Sequence, residues 1–195
     1  MNFLAHAYLS FQDDEILAGN FAGDFIKGKA WEKLPYNLAK GVLLHREIDY
    51  FTDTHPEFIY CKRMFSRELR HYSSLFPDLV FDHFLANDSS RFTNDSLKDF
   101  SERVYGAVEL NMGYFPREFS FMFFRMKTGN WLYGYRFKGG IENSIRGMVR
   151  KANAPFDEMR PVEIFRENYP LLQESYRRFF PELESFVKEL LSAGS

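Results

Sequence analysis

PYNLAKGVLLHREIDYFTDTHP, residues 35–56, is the stretch on which the fold turns. Pro35 at its head suits a helix start, because proline lacks an N–H and a first turn leaves its N–H groups unbonded in any case. Leu38, Val42, Leu44 and Ile48 then recur at helical spacing and supply one apolar face. Pro56 opens the next helix, through Phe58, Ile59, Met64, Phe65, Leu69 and Tyr72.

The same punctuation continues outward. Asp13 and Asp14 open a segment with Ile16, Leu17, Phe21 and Phe25 at helical spacing, which Gly28 can close. Pro77 and Asp78 start the apolar run LVFDHFLA, Asn94 or Asp95 starts a helix carrying Leu97, Phe100, Val104 and Val108, and Pro116 starts one carrying Phe119, Met122, Phe123 and Met126. Residues 129–140, rich in glycine and aromatics, read as an irregular connection before a helix over 141–151. After Pro161 the pattern is helical, with breaks or kinks expected at Pro170 and Pro181. Alternating apolar and polar runs are almost absent, so the expected fold is all-α, a helical bundle. No repeat, low-complexity stretch or flexible linker divides the chain, so residues 1–195 are expected to form a single domain.

Composition narrows the function. Hydrophobic residues make up 45% of the chain and aromatics 18%, enough for a compact core. The formal net charge of -2 gives no global reason to expect nucleic acid or an anionic membrane as partner. No apolar run approaches the ~20 residues of a membrane span, and MNFLAHAYLS lacks the basic start of a signal peptide, so a cytoplasmic protein is expected. The lone Cys61 stands at helical spacing from Phe58 and Phe65 and reads as packing. GxxxxGK[ST], GxGxxG, HExxH and GxSxG motifs are all missing.

The chemistry concentrates in the first half, where His6, Asn20, Asp24, His45, Asp49, Asp53, His55, Asp82 and His83 crowd together. His45 and Asp49, four residues apart, share a helix face, whereas Asp53 is expected just past the helix end. Asn20 and Asp24 repeat the spacing one helix earlier. Asp82 and His83 sit inside LVFDHFLA, where a carboxylate and an imidazole need a partner. Each residue alone is as well explained by capping or a satisfied core group; together they suggest several helices delivering ligands to a divalent metal, Mn²⁺, Mg²⁺, Fe²⁺ or Zn²⁺. Lys27, Lys29, Lys33, Lys40, Arg46, Lys62, Arg63, Arg67 and Arg70 lie near these helices, as an anion-attracting rim or as ordinary solvated faces.

MNFLAHAYLS, GNFAGDFIKG, LHREIDYFTDTHP and DHFLA closely resemble the characteristic segments of the acyl-carrier-protein phosphodiesterases. A looser match runs through NWLYGY to FFPEL, covering nearly the whole chain. The resemblance implies an all-helical fold distantly related to the HD-domain phosphohydrolases, a divalent metal (usually Mn²⁺), and hydrolysis of 4′-phosphopantetheine from holo-acyl carrier protein. It implies Asp24, His45, Asp49, Asp82 and His83 as the metal and catalytic set, with His6 and Asn20 at further matching positions. The adjacent pair reads Asp82-His83, the reverse of the His-Asp dyad that names the HD group. In the mechanism expected on this basis, His45 and Asp82 hold the metal, Asp24 or Asp49 completes its shell, and His6 or His83 protonates the leaving oxygen. Lys27 or Arg46 grips the phosphate, and the acidic carrier docks on Lys27, Arg46, Arg63, Arg67 and Arg70. The rival readings are an HD-like phosphohydrolase of small phosphodiesters and a non-catalytic carrier-binding module.

Overall fold

The computed structural model describes residues 1–11 and 13–193. Among them are eleven α-helices and no strand, so the chain is a single all-α domain. In chain order these are α1 (Phe3–Tyr8), α2 (Asp14–Phe21), α3 (Tyr36–Thr54), α4 (Pro56–Leu69), α5 (Pro77–Ala86) and α6 (Asn94–Leu110), followed by α7 (Arg117–Thr128), α8 (Trp131–Gly134), α9 (Lys138–Lys151), α10 (Arg160–Glu167) and α11 (Tyr169–Ala193). Short 3₁₀ turns over Gly23–Phe25, Ala30–Lys33, Arg70–Leu75 and Met112–Tyr114 fill some of the connections.

The starts follow the capping chemistry. Asp13 accepts from the backbone N–H groups of Glu15 and Ile16, Pro35 and Pro116 cap α3 and α7, and Pro56 and Pro77 occupy the first turns of α4 and α5. Helix α6 begins at Asn94, as expected, and is capped by Thr93 in a reciprocal box with Ser96.

Several sequence expectations need correction. Helix α4 ends at Leu69, so Tyr72 lies in the 3₁₀ turn that follows it. Helix α2 stops at Phe21, and a 3₁₀ turn, not a continued helix, carries Asp24 and Phe25. Helix α3 runs to Thr54, so Asp53 lies within it. Residues 129–140 are not wholly irregular, since α8 and the first turn of α9 lie among them, with left-handed Asn130 turning the chain before α8. The break expected at Pro170 is present, since α10 ends at Glu167 and α11 begins at Tyr169, but Pro181 does not end its helix and sits inside the 25-residue α11. An internal proline costs about 3 kcal/mol. Burial of Phe179, Phe180, Leu183 and Val187 on α11 offsets it, at about 1.5–3 kcal/mol for each large apolar side chain.

Helix α5 is the central element: every residue of it except Asp78 is buried, which is why its sequence is an almost unbroken apolar run. Helices α2 and α3 pack backbone against backbone. A Cβ on Gly19 would stand 2.1 Å from the Leu38 carbonyl oxygen, and one on Gly41 would stand 2.2 Å from that of Ile16. Only hydrogen at both positions allows this approach, and it brings Asn20 against the face of α3 that carries His45. Cys61 is buried, as packing predicts. Among the described residues no helix is long and apolar enough to cross a membrane.

Candidate metal centre

His6 from α1, Asn20 from α2, Asp24 from the 3₁₀ turn, and His45 and Asp49 from α3 meet at one place. The His6 and His45 rings stack, centroids 4.0 Å apart and nearly parallel. Both are oriented by Asn20, which is fully buried: His6 Nδ1 lies 2.8 Å from its side-chain oxygen and His45 Nδ1 lies 2.8 Å from its backbone oxygen. Asn20 is itself fixed, because its amide nitrogen donates to the His6 carbonyl at 2.8 Å and to Ser10 Oγ at 2.9 Å. Both Nδ1 partners are acceptors, so each Nδ1 carries the proton; His45 Nε2 turns towards Asp49, and His6 Nε2 faces both Asp49 and the Met1 carbonyl, 3.1 Å away. His6 Nε2 is 3.2 Å from Asp49 Oδ1, and His45 Nε2 is 3.1 Å from Asp49 Oδ2 and 3.5 Å from Asp24 Oδ1.

This donor set fits a metal ion. One atom from each of His6, His45 and Asp49 lies within 4.8 Å of the others, and His45 Nε2 is buried without a well-aligned hydrogen bond. Histidine ligands whose second nitrogen is anchored on a neighbouring oxygen are the usual architecture of a metal centre. Without metal, protons neutralise the cluster. Burial depresses the pKa of His45, but Asp24 and Asp49 outweigh it and raise it to about 9. His6 goes the other way, to about 4, because of burial and the neighbouring His45 charge. Burial works against ionised Asp49, yet its bonds to the two histidines hold it far below the ordinary carboxylate range. Asp24 is lowered chiefly by its hydrogen bond to His45.

The centre opens onto a cleft of about 300 Å³ lined by Gly23, Asp24, Ile26, Lys27, Gly28, His45, Arg46 and Asp49. Arg46 donates to the carbonyls of Ile26 at 3.1 Å and Gly28 at 2.6 Å, folding the 26–28 loop over the cleft edge, and Gly28 takes the positive φ this turn requires. Gly23 makes room for His45, since a Cβ there would stand 2.3 Å from the ring's Cγ.

Other expected site residues lie apart from the cluster. Asp82 is fully buried and accepts from the N–H groups of Leu4 at 2.7 Å and Ala5 at 3.0 Å, which makes it the cap of α1. Burial raises its pKa to about 7 against the pull of those two N–H groups. His83 ties α5 to the α8–α9 connection and to α11: its Nδ1 donates to the Tyr135 carbonyl at 2.6 Å and its Nε2 accepts from the Tyr169 hydroxyl at 3.0 Å. Both residues thus have local partners of their own, away from the group formed by His6, His45 and Asp49. Asp53 pairs with Lys62, and His55 caps α4 and meets Glu182. Of the expected docking residues, Lys27 and Arg46 line the cleft; Arg63, Arg67 and Arg70 are exposed on α4 and just beyond it, outside the cleft lining.

Two groups at the centre escaped sequence reasoning. The Met1 ammonium bridges Asp49 Oδ1 at 3.1 Å and Asp78 Oδ1 at 3.2 Å. Burial lowers its pKa, but those two carboxylates prevail and raise it to about 10. Asp78 looked like a simple helix start beside Pro77. The available clue was its position four residues before Asp82, on the one edge of α5 that is not apolar.

The two imidazoles and two carboxylates that α1, α3 and the 3₁₀ turn bring to an open cleft suit one class, a helical hydrolase of the kind that works on phosphoric esters. The comparisons make it specific. The family model described as acyl carrier protein phosphodiesterase matches residues 1–183, and the chain belongs to that family of phosphoric diester hydrolases. A relative from Photorhabdus laumondii with that name is 32% identical over 77% of each chain. Namesakes from Salmonella paratyphi A and Yersinia pestis are 29% and 27% identical, each over 94% of this chain and 95% of the relative. No solved structure matches the chain.

Proposed function

We propose that this protein hydrolyses the phosphodiester joining 4′-phosphopantetheine to the serine of holo-acyl carrier protein, releasing apo carrier and free 4′-phosphopantetheine. The observation that carries the proposal is the convergence of His6 Nε2, His45 Nε2 and Asp49 on one point at a cleft edge, in a chain of this family. His6, His45 and Asp49 would hold a divalent metal, with Asp24 at its open side, in place of the Asp82 and His83 that the resemblance implies. Mn²⁺, or else Mg²⁺, Fe²⁺ or Zn²⁺, would supply positive charge against the phosphodiester and lower the pKa of water. The arrangement is compatible with distant kinship to the HD-domain phosphohydrolases.

The chain's own groups do the rest. Asn20 holds both rings so that neither Nε2 can turn away. Asp24, whose side chain is 64% exposed, faces the cleft as a carboxylate and is placed to orient the attacking water. Lys27 on the cleft wall meets the non-bridging phosphate oxygens, and Arg46 shapes the loop that presents Lys27.

The test is incubation of the purified protein with holo carrier protein and Mn²⁺, with and without chelator, read by intact mass of the carrier. Metal-dependent loss of the phosphopantetheine mass is expected. Metal-dependent cleavage of a generic phosphodiester with the carrier left intact would keep the chemistry and replace the substrate. Inactivity on both would defeat the proposal.

A further inference from the structure

The outward face of α3 carries three large apolar side chains that stay exposed: Tyr36 at 76%, Leu43 at 38% and Tyr50 at 70%. They recur every seventh residue, close to two helical turns, and so line up along one side of the helix over about 21 Å. Arg46 falls on the same side, one turn from both Leu43 and Tyr50, and it lines the cleft together with Asp49. The apolar stripe therefore runs to the edge of the candidate metal centre. Exposed tyrosines beside an arginine are the composition of protein interfaces, not of ordinary solvated helix faces.

Charge decides the occupant. Between residues 27 and 50 stand Lys27, Lys29, Lys33, Lys40 and Arg46 against Glu32, Glu47 and Asp49, the last of which faces the two histidines, in a chain whose net charge is -2. This segment therefore carries a net positive charge and suits an acidic protein surface. Size argues likewise. A cleft of about 300 Å³ takes a phosphodiester and part of its arm, so the body of a macromolecular substrate must rest outside it. We propose that the Tyr36–Leu43–Tyr50 face of α3 is the docking surface for the acidic carrier protein, with its tyrosines as anchors and Arg46 where stripe and cleft meet. The proposal rests on the function proposed above.

The test compares two double variants of the Mn²⁺-loaded full chain, Leu43→Ser/Tyr50→Ser on α3 and Phe121→Ser/Phe124→Ser on α7, whose two phenylalanines are also exposed but lie outside the cleft lining. All four positions face solvent, and circular dichroism checks that each variant folds. The α3 variant is expected to raise KM for holo carrier about tenfold, or about 1.4 kcal/mol, with the effect on KM and not on kcat. Anisotropy of labelled apo carrier, which offers no bond to cut, is expected to show the same loss of affinity. An unchanged KM and Kd in the α3 variant, or a loss confined to the α7 variant, overturns the docking surface while the function stands. A wild-type chain that neither cleaves nor binds carrier overturns both.

Discussion

Gly23→Ala tests the candidate metal centre with a single methyl group. Gly23 does not have a left-handed backbone, so alanine is conformationally acceptable and the whole penalty comes from space. The added Cβ would lie 2.3 Å from His45 Cγ, 2.6 Å from its Cβ and 2.7 Å from Nδ1, where ordinary contact begins near 3.4 Å. Relief requires the imidazole, or the 3₁₀ turn that carries Asp24, to move by about 1.1 Å. The ring is pinned by its 2.8 Å bond to the Asn20 carbonyl and by its stack on His6, so any movement disturbs the donor set. Overpacking of this kind costs about 1–3 kcal/mol of stability. For a domain of this length, that lowers Tm by about 5 °C. Misplacing a reacting group by about 1 Å costs about 100-fold in rate, equivalent to about 2.7 kcal/mol.

The assay pairs Tm with kcat/KM on holo carrier and with Mn²⁺ affinity by titration calorimetry. Activity and metal affinity should fall far more than stability. Gly106→Ala serves as the comparison, because Gly106 is exposed within α6 and its new Cβ meets nothing within 4 Å; it should stabilise the protein by about 0.5–1 kcal/mol and leave the centre alone. A Gly23→Ala protein with Mn²⁺ affinity and kcat/KM within threefold of wild type would refute the tight seating of His45 on which the site depends.

Asn20→Ala strands the buried Nδ1 of His6, while the Ser10 hydroxyl still donates to the His6 carbonyl, so urea unfolding should show a loss of about 1–3 kcal/mol, and Mn²⁺ affinity should drop 10- to 100-fold; equal affinity would show that Asn20 does not orient the site. Asp82→Ala removes the cap of α1 and should cost about 1–3 kcal/mol while the folded protein still binds Mn²⁺, whereas His45→Ala should bind none; a folded Asp82→Ala protein without metal affinity would return Asp82 to the ligand set. Burial pushes the Cys61 thiol up to about 12 from its ordinary 9.0, against a weaker pull from Ser175. The unfolded state therefore ionises first: Cys61's contribution to stability is complete below pH 9 and is lost between pH 9 and 12, and at pH 8 the native thiol should react with Ellman's reagent only as fast as the chain unfolds. Complete reaction within minutes, well below the urea transition, would contradict that burial.

Helix starts were readable because they depend on neighbours in sequence: Pro35, Pro56, Pro77 and Pro116 act within one turn of themselves. The pairing of His45 with Asp49 was readable for the same reason, as a one-turn spacing on an unbroken helix. Helix α1 was not, because six residues are too few to announce a periodicity and its capping carboxylate, Asp82, comes from α5. Pro181 misled because local chemistry disfavours it in a helix, and only tertiary burial of the flanking phenylalanines shows why it is tolerated. The meeting of Asn20 with His45, 25 residues apart, depends on the glycine contact between α2 and α3, and that of His6 with Asn20, 14 apart, on the packing of α1 against α2. Sequence reveals glycines but not which backbone each one faces.

Asp82 and Asp49 illustrate the same limit on a single residue type. In sequence both are aspartates on helices with apolar neighbours, and either could serve a metal. What separates them is the balance of donors and lone pairs that the fold brings to each. Asp82 receives two backbone N–H groups, one for each oxygen, so its charge is met by the first turn of α1 and a cation there would displace a cap. Asp49 faces two imidazole Nε2 atoms whose other nitrogens already donate to Asn20, with the Asp24 carboxylate beside them. Even with the Met1 ammonium donating to Asp49, such a group has more acceptors than hydrogens. It must take up protons, which is why the pKa of His45 climbs to about 9, or bind a cation that replaces them. Proton and metal then compete for the same lone pairs, so Mn²⁺ binding should release protons to the buffer, and calorimetry in buffers of different ionisation enthalpy would count them.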